Sequence, residues 1–451
     1  MSTTSKKSIF KNRDELLSVS NREIREKVLE VLESAVNAVE PYKSVLDYVS
    51  ISDDKVSIAG ESYDLSKIKR VIVVGGGKGA NAMVRAVVDI FGEKAFGIVN
   101  ALKEEKIGNV ICNKASHPLP NASGEKGARE MLKLVEEANE DVLVLCLISG
   151  GGSALIPLPE EGITLEDKIE VTKLLLASGA DIKEMNTVRK HLSRIKGGKL
   201  ARAAKGAKVV SLILSDVIGD PTDMIASGPT VPDKTTIGEA ISVLNKYQLW
   251  EKIPLRVQKL LREGKKETPK PDDTFFRNVR NIIIGNNEKA LNGAEKMAKK
   301  LGYNTIVYPR ILKGEARDAP HKIIFPLLTQ LLENKKIKKP AMLIMGGETT
   351  VTLRGNGRGG RNQELALSAL IGLKQNWTLA SMGTDGIDGN SDAAGAIADS
   401  DVLSYACKKG LRIMDFLESN NSNEFFAKTN GLLITGPTGT NVADIAILIV
   451  E

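Results

Sequence analysis

Several residue types that carry common chemistry are scarce in this chain of 451 residues. Its three cysteines, Cys112, Cys146 and Cys407, have no paired spacing, which excludes a disulfide framework and suits a reducing compartment. The N-terminus contains no apolar core of signal-peptide length. The longest apolar runs, such as Val142–Ile148, are too short to span a membrane. We therefore expect a cytoplasmic protein without a membrane segment.

An excess of charge of one sign is also weak, since 63 basic residues against 56 acidic ones leave a net charge of +7. Spread over this length, the excess favours a solvated lysine-rich surface over a concentrated patch for nucleic acid. Hydrophobic residues make up 42% of the chain and charged residues 26%, which excludes a wholly disordered or fibrous protein. The length predicts two domains.

Short apolar runs alternate with amphipathic helical stretches over the first half of the chain. Residues 70–74, 95–99, 142–148 and 208–214 are rich in valine, isoleucine and leucine, and a loop or a helical stretch follows each of them. Continuous apolar strands of this length indicate a mostly parallel sheet that is covered on both faces. We therefore predict a Rossmann-like α/β domain over residues 1–250.

The alternation restarts after residues 263–273, a charged, proline-bearing stretch that we interpret as a linker or exposed loop. Residues 349–354 follow the predicted strand at 341–345 after a short turn, which predicts a hairpin. Helical periodicity marks residues 12–42 at the other end of the chain. We predict a second, smaller α/β domain over residues 274–451.

Glycine is abundant and clustered, and the first cluster follows the first predicted strand. Gly75, Gly76 and Gly77 precede Lys78 and a helix, so free backbone N–H groups and a helix N-terminus favour a bound anion. The dinucleotide fingerprint is only weakly met, because Asn100 stands where an acid would bind ribose. A Walker A motif is excluded because glycine follows the lysine. We predict a nucleotide phosphate site, with a structural turn as the alternative.

A second cluster, Ser149, Gly150, Gly151, Gly152 and Ser153, follows the strand at 142–148. Three adjacent glycines again allow close backbone approach to an anion, with two hydroxyl groups to assist. We assign this cluster to the substrate. A nucleophilic serine is the less favoured interpretation, because the G-x-S-x-G elbow is absent and no histidine lies nearby in the sequence.

Two polar residues of a later predicted helix extend the substrate assignment. Asn186 and Arg189 lie three residues apart, which places them on one helix face. The neighbouring Lys190, His191 and Lys196 are expected to be mostly surface charges.

Three aspartates, Asp216, Asp220 and Asp223, lie in the loop after the strand at 208–214. In open α/β sheets, ligands bind at the carboxyl ends of strands, so a carboxylate there can bind Mg²⁺ or accept a proton from a hydroxyl group. We predict that one of these aspartates is functional. Helix capping and turn formation are the alternative.

A fourth cluster contains Arg361, which opens a predicted helix after a glycine-rich stretch. A cation at a helix N-terminus is electrostatically unfavourable by itself, and a bound phosphate or carboxylate would remove the conflict. We therefore predict an anion site, with an ion pair to Glu364 as the alternative. The residues of this cluster assigned to cofactor binding are Glu348, Gly359, Gly360 and Asn362.

A fifth cluster, at residues 382–400, is rich in acids. Asp388, Asn390 and Asp392 have calcium-loop spacing, but alanine replaces the required glycine, which argues against an EF-hand. An acidic loop at a strand end that meets a metal–nucleotide complex is the better interpretation, with solvated turns as the alternative. The assignments are Thr384 and Asp385 to the nucleotide, and Asp388 with Asp220 to a divalent cation.

In this order, these motifs resemble the class II glycerate 2-kinases, the family with a C-terminal MOFRL domain. The matching stretches are GGGKG at 75–79, SHPLP at 116–120, SGGGSAL at 149–155, NTVRKHLSRIKGGKLA at 186–201, SDVIGDPTDMIASGPT at 215–230, GGETTVT at 346–352, GRGGRNQE at 357–364, GTDGIDGNSDAAGA at 383–396 and GPTGTNVADI at 436–445. They extend over nearly the whole chain, and the ordered set is much more specific than any single motif.

The resemblance implies ATP-dependent phosphorylation of D-glycerate at its 2-hydroxyl group, with Mg²⁺ or another divalent cation, giving 2-phosphoglycerate and ADP. It also implies an N-terminal Rossmann-like domain, a smaller C-terminal domain and an active site in the cleft between them. Lys78 and Arg361 resemble essential basic residues of the family, and Asp216 and Asp220 lie in a stretch that resembles its aspartate-bearing loop. We expect a homo-oligomer, with a homodimer favoured.

Phosphoryl transfer requires mainly positioning and stabilisation of charge on the transferred group. We therefore predict that Lys78 and Arg361 clamp the γ-phosphoryl group and that Asp216 or Asp220 accepts the proton of the substrate hydroxyl. The alternatives are an NAD(P)H-dependent hydroxypyruvate reductase, a kinase that gives 3-phosphoglycerate, and a non-catalytic nucleotide-binding protein. Asn100 and Lys78 argue against the reductase.

Overall fold

The structure, a computed structural model, describes residues 8–451. The strands are β1 (Val49–Ser52), β2 (Lys55–Ile58), β3 (Glu61–Asp64), β4 (Arg70–Gly76), β5 (Ala95–Ala101), β6 (Glu105–Ile107), β7 (Asn109–Lys114), β8 (Val142–Ile148), β9 (Lys208–Leu214), β10 (Val279–Gly285), β11 (Asn304–Val307), β12 (Ala341–Gly347), β13 (Trp377–Gly383), β14 (Gly395–Ala398), β15 (Leu432–Leu433) and β16 (Asp444–Val450).

The α-helices are α1 (Arg13–Leu16), α2 (Arg22–Ala38), α3 (Pro41–Leu46), α4 (Ala80–Phe91), α5 (Ala122–Glu136), α6 (Gly152–Leu155), α7 (Leu165–Ala177), α8 (Ile182–His191), α9 (Lys199–Ala203), α10 (Ile237–Lys246), α11 (Leu255–Glu263), α12 (Asn287–Lys300), α13 (Phe325–Glu333), α14 (Arg361–Ala369), α15 (Ser400–Lys408), α16 (Ile413–Glu418) and α17 (Ser422–Thr429). Short 3-10 or π turns occupy Gly92–Lys94, Ile225–Ser227, Trp250–Lys252, Thr274–Asn278 and Pro320–Ile324. Across residues 8–451, no helix is both long and apolar enough to cross a membrane.

The chain divides into two compact units, which we call the large unit and the small unit. The large unit is residues 41–284, and the small unit combines the chain up to Glu40 with residues 285–451. This division differs from the predicted domains 1–250 and 274–451, because the N-terminal helices pack on the C-terminal half of the chain. Residues 251–284 also belong to the large unit, where β10 adds a strand to the sheet beside β9.

The sheet of the large unit has the strand order β10-β9-β8-β4-β5-β7-β6. From β9 to β7 every pairing is parallel, and only the edge strand β6 runs antiparallel to its neighbour. Alternate residues of β4 enter different cores: Val71 and Val73 pack with α4, whereas Ile72 and Val74 pack with α5. Burial on both faces is why these strands read as unbroken apolar runs. The predicted Rossmann-like, mostly parallel α/β fold is confirmed.

A helical layer made of α7, α8, α10 and α11 has its own apolar core in the large unit. Three of these helices begin with reciprocal capping boxes, which satisfy N–H groups that would otherwise have no partner. The stretch at 263–273 is attached to this layer and is not a free linker. Glu267 accepts a hydrogen bond from the backbone N–H of Ile237 (3.0 Å) and pairs with His191 (2.8 Å), and Thr268 is buried.

The small unit contains a mixed sheet with the order β11-β12-β16-β13-β14-β15, in which β11 and β12 are parallel and the other pairs antiparallel. The predicted hairpin at residues 349–354 is wrong. Both edges of β12 are already paired, with β11 and β16, so the segment that follows has no free edge of that strand to join. Thr350 makes only an isolated bridge to Glu315.

The N-terminal helix α2 belongs to the small unit because of its apolar face and one buried arginine. Val28, Leu29 and Leu32 are fully buried in a core shared with α12 and the strands β12 and β16. Arg25 is also fully buried, and its guanidinium pairs with Asp399 through two hydrogen bonds of 2.7 and 3.0 Å. Burial of a charged pair requires such geometry, so this contact specifies where α2 docks.

Candidate active site

In the large unit, the loops that follow β4 and β8 contact each other directly. The backbone N–H of Lys78 donates to the carbonyl of Gly150 (2.9 Å), and the N–H of Gly79 donates to Ser149 Oγ (3.0 Å). The two strands are neighbours in a parallel sheet, so their carboxyl ends lie side by side. The first and second glycine clusters therefore form one surface, as expected for a ligand site in an open α/β sheet.

The glycines of the first cluster are required by contacts within the protein. Gly75 (φ +119°) and Gly77 (φ +152°) have backbone conformations that favour glycine. A Cβ atom on Gly75 would overlap the carbonyl of Leu147, and one on Gly77 would overlap Ser149 Oγ. The close approach inferred from this cluster is thus met by the neighbouring strand and its loop. That Gly75, Gly76 and Gly77 also contact a nucleotide stays a prediction.

Asn100 acts as a cross-link beneath this surface. It is fully buried, donates to the carbonyls of Gly124 (2.8 Å) and Leu155 (2.6 Å), and accepts from Asn113 Nδ2 (2.8 Å). Every polar atom of its side chain is used inside the fold. These contacts within the protein account for an asparagine at the end of β5, and no bound dinucleotide is needed to explain it.

A pocket of about 290 Å³ opens beside these loops in the large unit. Five of the seven predicted substrate residues line it, and Asp216 lies on its wall. Ser149 and Gly150 are not lining residues and instead support the loop from behind through their bonds to Gly79 and Lys78. The lining residues are His117, Pro118, Gly151, Gly152, Ser153, Ala154, Ile182, Asn186, Arg189, Asp216, Val217, Met224 and Ala226.

Ser153 is the centre of the polar network at this pocket. Its Oγ lies 2.8 Å from Arg189 Nη2, 2.9 Å from Lys196 Nζ and 3.0 Å from Ser227 Oγ. Ser227 in turn donates to Asn186 Oδ1 (3.0 Å). A hydroxyl oxygen has two lone pairs and one proton, so Ser153 accepts from the two cations and donates to Ser227 when Lys196 is charged.

The prediction that Lys190, His191 and Lys196 are mostly surface charges is wrong, since all three are buried. Lys190 has acidic partners, Asp223 and Asp233, each at 3.3 Å. The sequence offered no signal for this burial, because the acids that pair with Lys190 follow more than 30 residues later in the chain.

Lys196 differs from Lys190, because it is 2% exposed and its three partners are uncharged oxygens. Burial, reinforced by the positive charges of Arg189 and Lys168, lowers the pKa of Lys196 well below its ordinary value. Burial likewise lowers the pKa of Arg189. Across the described residues 8–451, neither cation has a carboxylate within ion-pair distance.

The structure separates the three aspartates of the loop after β9. Asp216 lies on the pocket wall and accepts a hydrogen bond from the backbone N–H of Gly151 (3.3 Å). Asp223 pairs with Lys190. Asp220 lies at a left-handed turn position (φ +54°) and is not among the lining residues. Of the two aspartates proposed as the base, only Asp216 lines the pocket.

In the small unit, Arg361 stands at the start of α14 and is held by two carboxylates. It donates to Asp444 through Nε (2.5 Å) and Nη2 (3.0 Å), and Nη1 pairs with Glu348 (2.8 Å). The suggested pair with Glu364 is wrong, because Glu364 binds Arg317 instead (2.9 Å). Burial alone would lower the pKa of Arg361, but the hydrogen bond and charge of Asp444 outweigh it and raise that pKa. Burial raises the pKa of Asp444.

Asp388 caps the same helix. It is 2% exposed, and its two oxygens accept hydrogen bonds from the backbone N–H groups of Asn362 (3.1 Å) and Gln363 (2.9 Å). Both side-chain amides add a further bond each. Burial raises the pKa of Asp388. These contacts account for Asp388 as a helix cap, the alternative role of aspartate at such positions.

A second pocket, of about 700 Å³, lies in the small unit around Arg361. Its lining includes Glu348, Gly359 and Gly360 of the predicted cofactor residues. The further lining residues are Thr349, Thr350, Val351, Leu353, Gly357, Glu364, Gly389, Asn390, Asn420 and Ser422. Eight of these ten residues lie in or beside the fourth and fifth sequence clusters, whereas Asn420 and Ser422 come from a later segment that no local pattern connects with Arg361.

The other predicted cofactor residues of the small unit are not part of this lining. Asn362 is buried between Asp388 and Ser381, and Thr384 donates to the carbonyl of Ala443 (2.7 Å). Asp385 accepts from the backbone N–H of Ile387 two residues ahead (3.1 Å). Within residues 8–451, no group of three or more histidine, cysteine, aspartate or glutamate side chains is arranged to hold a metal ion.

Comparisons with known proteins found matches to both halves of the chain. A family model described as a domain of unknown function, DUF4147, matches residues 27–262, and the MOFRL family model matches residues 341–444. A glycerate 2-kinase from Pyrococcus horikoshii is 42% identical, over 95% of this chain and 98% of its own length. A D-glycerate 2-kinase from Thermotoga maritima is 40% identical, over 94% of this chain and 98% of its own.

The fold has a close counterpart as well. The crystal structure of a glycerate kinase from Thermotoga maritima is similar to this chain with a TM-score of 0.84 at 39% identity, over 95% of this chain and 100% of that one. These similarities place the protein among the kinases of two-domain α/β fold. The chain belongs to the glycerate 2-kinase family with a MOFRL domain, which confirms the family predicted from the ordered motifs.

Proposed function

We propose that this kinase transfers the γ-phosphoryl group of ATP to the 2-hydroxyl group of D-glycerate, giving 2-phosphoglycerate and ADP. The names of its relatives support glycerate as the substrate and a kinase reaction. The observation that carries the proposal is the pocket of the large unit, where the buried Lys196 and the partly buried Arg189, neither with an acidic partner, lie near the carboxylate of Asp216.

The cations of this pocket support an anionic substrate. A buried positive charge without a partner is costly, and an anion that enters the pocket removes that cost. Arg189 uses one Nη atom for Ser153 and lines the pocket, so its remaining donors suit a carboxylate. Glycerate supplies a carboxylate with a hydroxyl group on the adjacent carbon.

We assign the base to Asp216. It is the carboxylate on the pocket wall, and the N–H of Gly151 orients one of its oxygens. In the proposed reaction it accepts the proton of the 2-hydroxyl group as the oxygen attacks phosphorus. Asp220 is the second choice, since it belongs to the same loop but does not line the pocket.

We place the nucleotide against the glycine-rich start of α14. Gly359, Gly360 and Glu348 line the pocket around Arg361, whose position is held by its two carboxylates. Lys78 belongs to the large unit and Arg361 to the small unit. We propose that both stabilise charge on the transferred phosphoryl group, as predicted. The expected inter-domain cleft and the nucleotide contacts of Asn362, Thr384 and Asp385 stay predictions.

A divalent cation such as Mg²⁺ would neutralise phosphate charge in this reaction. Mg²⁺ that accompanies a nucleotide needs only one or two protein carboxylates. The donor chemistry of the loop after β9 suits that requirement, and we propose Asp220 as the ligand. Asp388 suits it less well, because both of its oxygens already accept hydrogen bonds from the start of α14.

The test is an assay of the purified full-length protein with D-glycerate, ATP and Mg²⁺, following ADP release. Hydroxypyruvate with NAD(P)H is run in parallel, because it reports on the reductase alternative. ADP release that depends on glycerate supports the kinase, and release no faster than without glycerate rejects it. Phosphorus NMR of the product decides between 2- and 3-phosphoglycerate. Light scattering during gel filtration tests the expected homodimer.

A further inference from the structure

The ammonium of Lys196 lies beneath the pocket floor in an unusual environment. Its Nζ is 2.9 Å from the carbonyl of Ser153, 2.9 Å from Ser153 Oγ and 3.3 Å from the carbonyl of Ala226. Ser153 and Ala226 both line the pocket, whereas Lys196 itself is 2% exposed. Lys196 therefore reaches the pocket through Ser153 and Ala226, and of the atoms that it contacts only the hydroxyl group of Ser153 can redirect a proton.

The charged groups around Lys196 do not neutralise it. Arg189 and Lys168, from α8 and α7, are positive and disfavour a second or third positive charge nearby. The acids near this side of the unit are engaged elsewhere: Glu160 pairs with Lys199 (3.0 Å) and Asp223 with Lys190. Asp216 stands on the pocket wall, where its carboxylate accepts from Gly151.

The three oxygens around Nζ suit either protonation state of Lys196. The two carbonyls only accept hydrogen bonds, so they take two N–H groups in both states. Ser153 Oγ is a hydroxyl and can reverse its role. It accepts the third N–H of a charged ammonium, or it donates its own proton to the lone pair of a neutral amine. Hence the hydrogen-bond geometry itself imposes no charge on Lys196.

The direction of the Ser153 proton then depends on Lys196. When Lys196 is charged, Ser153 donates to Ser227, and Ser227 donates to Asn186 Oδ1. When Lys196 is neutral, the Ser153 proton turns toward Nζ and away from Ser227. Arg189 donates to the same oxygen in both states, so the change is felt next to the group that we assign to the carboxylate.

Resting on the proposed function, we propose that Lys196 is a positioning residue of the anion pocket. It supplies through Ser153 a second positive charge for the substrate carboxylate, and it takes up a proton as the anion enters. The proton comes from solvent, and no covalent bond changes. The physical reason is linkage, since a nearby negative charge favours the charged form of a buried amine whose pKa is lowered in the free protein.

The sign of the pH dependence follows. Above the lowered pKa, Lys196 is a neutral amine in the free protein, and binding of the anion is coupled to the uptake of one proton from solvent. Affinity for the anion therefore falls as the pH rises through this range. Below the lowered pKa the proton is already bound, and uptake vanishes. Burial also lowers the pKa of Lys168, to about 7, so this second buried lysine must be tested separately.

The experiment is isothermal titration calorimetry of the full-length protein with D-glycerate, in buffers of different ionisation enthalpy. For the wild type we expect buffer-dependent heats that correspond to uptake of up to about one proton per glycerate at a pH above the lowered pKa of Lys196. K196M should bind glycerate about 10- to 100-fold more weakly, the range for a hydrogen bond to a charged group, and should take up no proton.

Two further variants separate charge from structure. K196R keeps the positive charge, so it should recover part of the affinity and still take up no proton, because arginine stays charged at every pH used. K168M removes the other buried lysine with a lowered pKa and should retain the uptake. Far-ultraviolet circular dichroism and thermal melting of each variant report whether it is folded.

The outcomes distinguish this proposal from the proposed function. Glycerate binding with buffer-independent heats across the pH range would overturn the role of Lys196 and leave the kinase assignment intact. Uptake that persists in K196M and disappears in K168M would also overturn it, without requiring any judgement about affinity. If the wild type neither binds glycerate nor releases ADP in a glycerate-dependent way, the proposed function itself is overturned.

Discussion

Two cations at the pocket of the large unit and two cations of the small unit have different partners. In the large unit, Arg189 and Lys196 are bonded to hydroxyl and carbonyl oxygens. In the small unit, Arg361 and Arg25 are each held by carboxylates, from Asp444 and Glu348 in one case and from Asp399 in the other. The first two cations therefore have no counter-charge within the protein, whereas the second two are neutralised by carboxylates.

This difference in partners predicts how each cation responds to an incoming anion. A buried cation without an acidic partner lowers the stability of the folded protein, and a bound anion offsets that loss. A cation already paired with carboxylates is fixed in direction and gains less from a new anion, but its removal leaves a buried negative charge behind. Substitution of Arg189 or Lys196 should therefore affect ligand binding, and substitution of Arg361 or Arg25 should affect stability.

The largest expected effect tests the carboxylate that faces the unpaired cations. D216N keeps the shape of the side chain and removes its basicity. We expect kcat to fall by about 10² to 10⁴, the contribution of general acid–base catalysis, with little change in melting temperature. Steady-state kinetics with D-glycerate measure it. Unchanged kcat would remove Asp216 from the role of base, and D272N, on an exposed residue, is the control.

Breaking the buried ion pair of the small unit should have the next largest effect, on the free energy of unfolding. R25M leaves Asp399 buried without its partner, and we expect a loss of about 3–5 kcal/mol in the free energy of unfolding. Urea titration followed by circular dichroism measures this loss. R25M combined with D399N removes the charge but retains a residue able to cap α15, so it should recover part of the stability. No destabilisation in the single variant would contradict the comparison.

Arg361 should show both effects at once. R361A removes a group proposed to stabilise the transferred phosphoryl group, so kcat should fall by about 10² to 10³. It also leaves Asp444, a mostly buried acid, without its two-point partner, so the melting temperature should fall. K78A is the comparison from the large unit, with an equal kinetic loss expected. A normal melting temperature for R361A would show that its carboxylates do not need it.

The smallest effect should come from Arg189. R189M removes a partly buried cation that has no acidic partner, so the free energy of unfolding should stay the same or rise. We expect KM for glycerate to increase about 10- to 100-fold, as for a lost hydrogen bond to a charged group, while kcat changes less. Kinetics and thermal melting on the same sample test both halves. A large loss of stability would mean that Arg189 is structural.

Much of the large unit and its pocket could be predicted, because the signals are local. The apolar runs of β4, β8 and β9 specify buried parallel strands, and parallel strands end at one edge of the sheet. Residues that follow different strands therefore meet, as Ser153 and Asp216 do at the pocket. The glycines were correctly singled out, although the groups that approach Gly75 and Gly77 proved to be neighbouring parts of the protein.

The errors concern contacts between distant segments. Arg361 and Asp444 are 83 residues apart in the chain, and Arg25 and Asp399 are 374 apart. No periodicity relates such positions, so the only protein partner that the sequence suggests for Arg361, as the alternative to a bound anion, is Glu364 on its own helix. The contacts that group the N-terminal helices with the small unit, and those that bury Lys196, likewise join distant segments of the chain.

The family, the α/β class and the order in which the chemical groups follow the strands can be inferred from sequence, because they depend on local pattern and on motifs that each lie in one stretch. Only the tertiary structure decided which charges are buried and which of them have a counter-charge. Burial and pairing depend on what the rest of the chain brings within a few ångströms, where removal from water makes an unpaired charge costly. For Lys196, that environment turns an ordinary lysine into the candidate proton-linked part of an anion pocket.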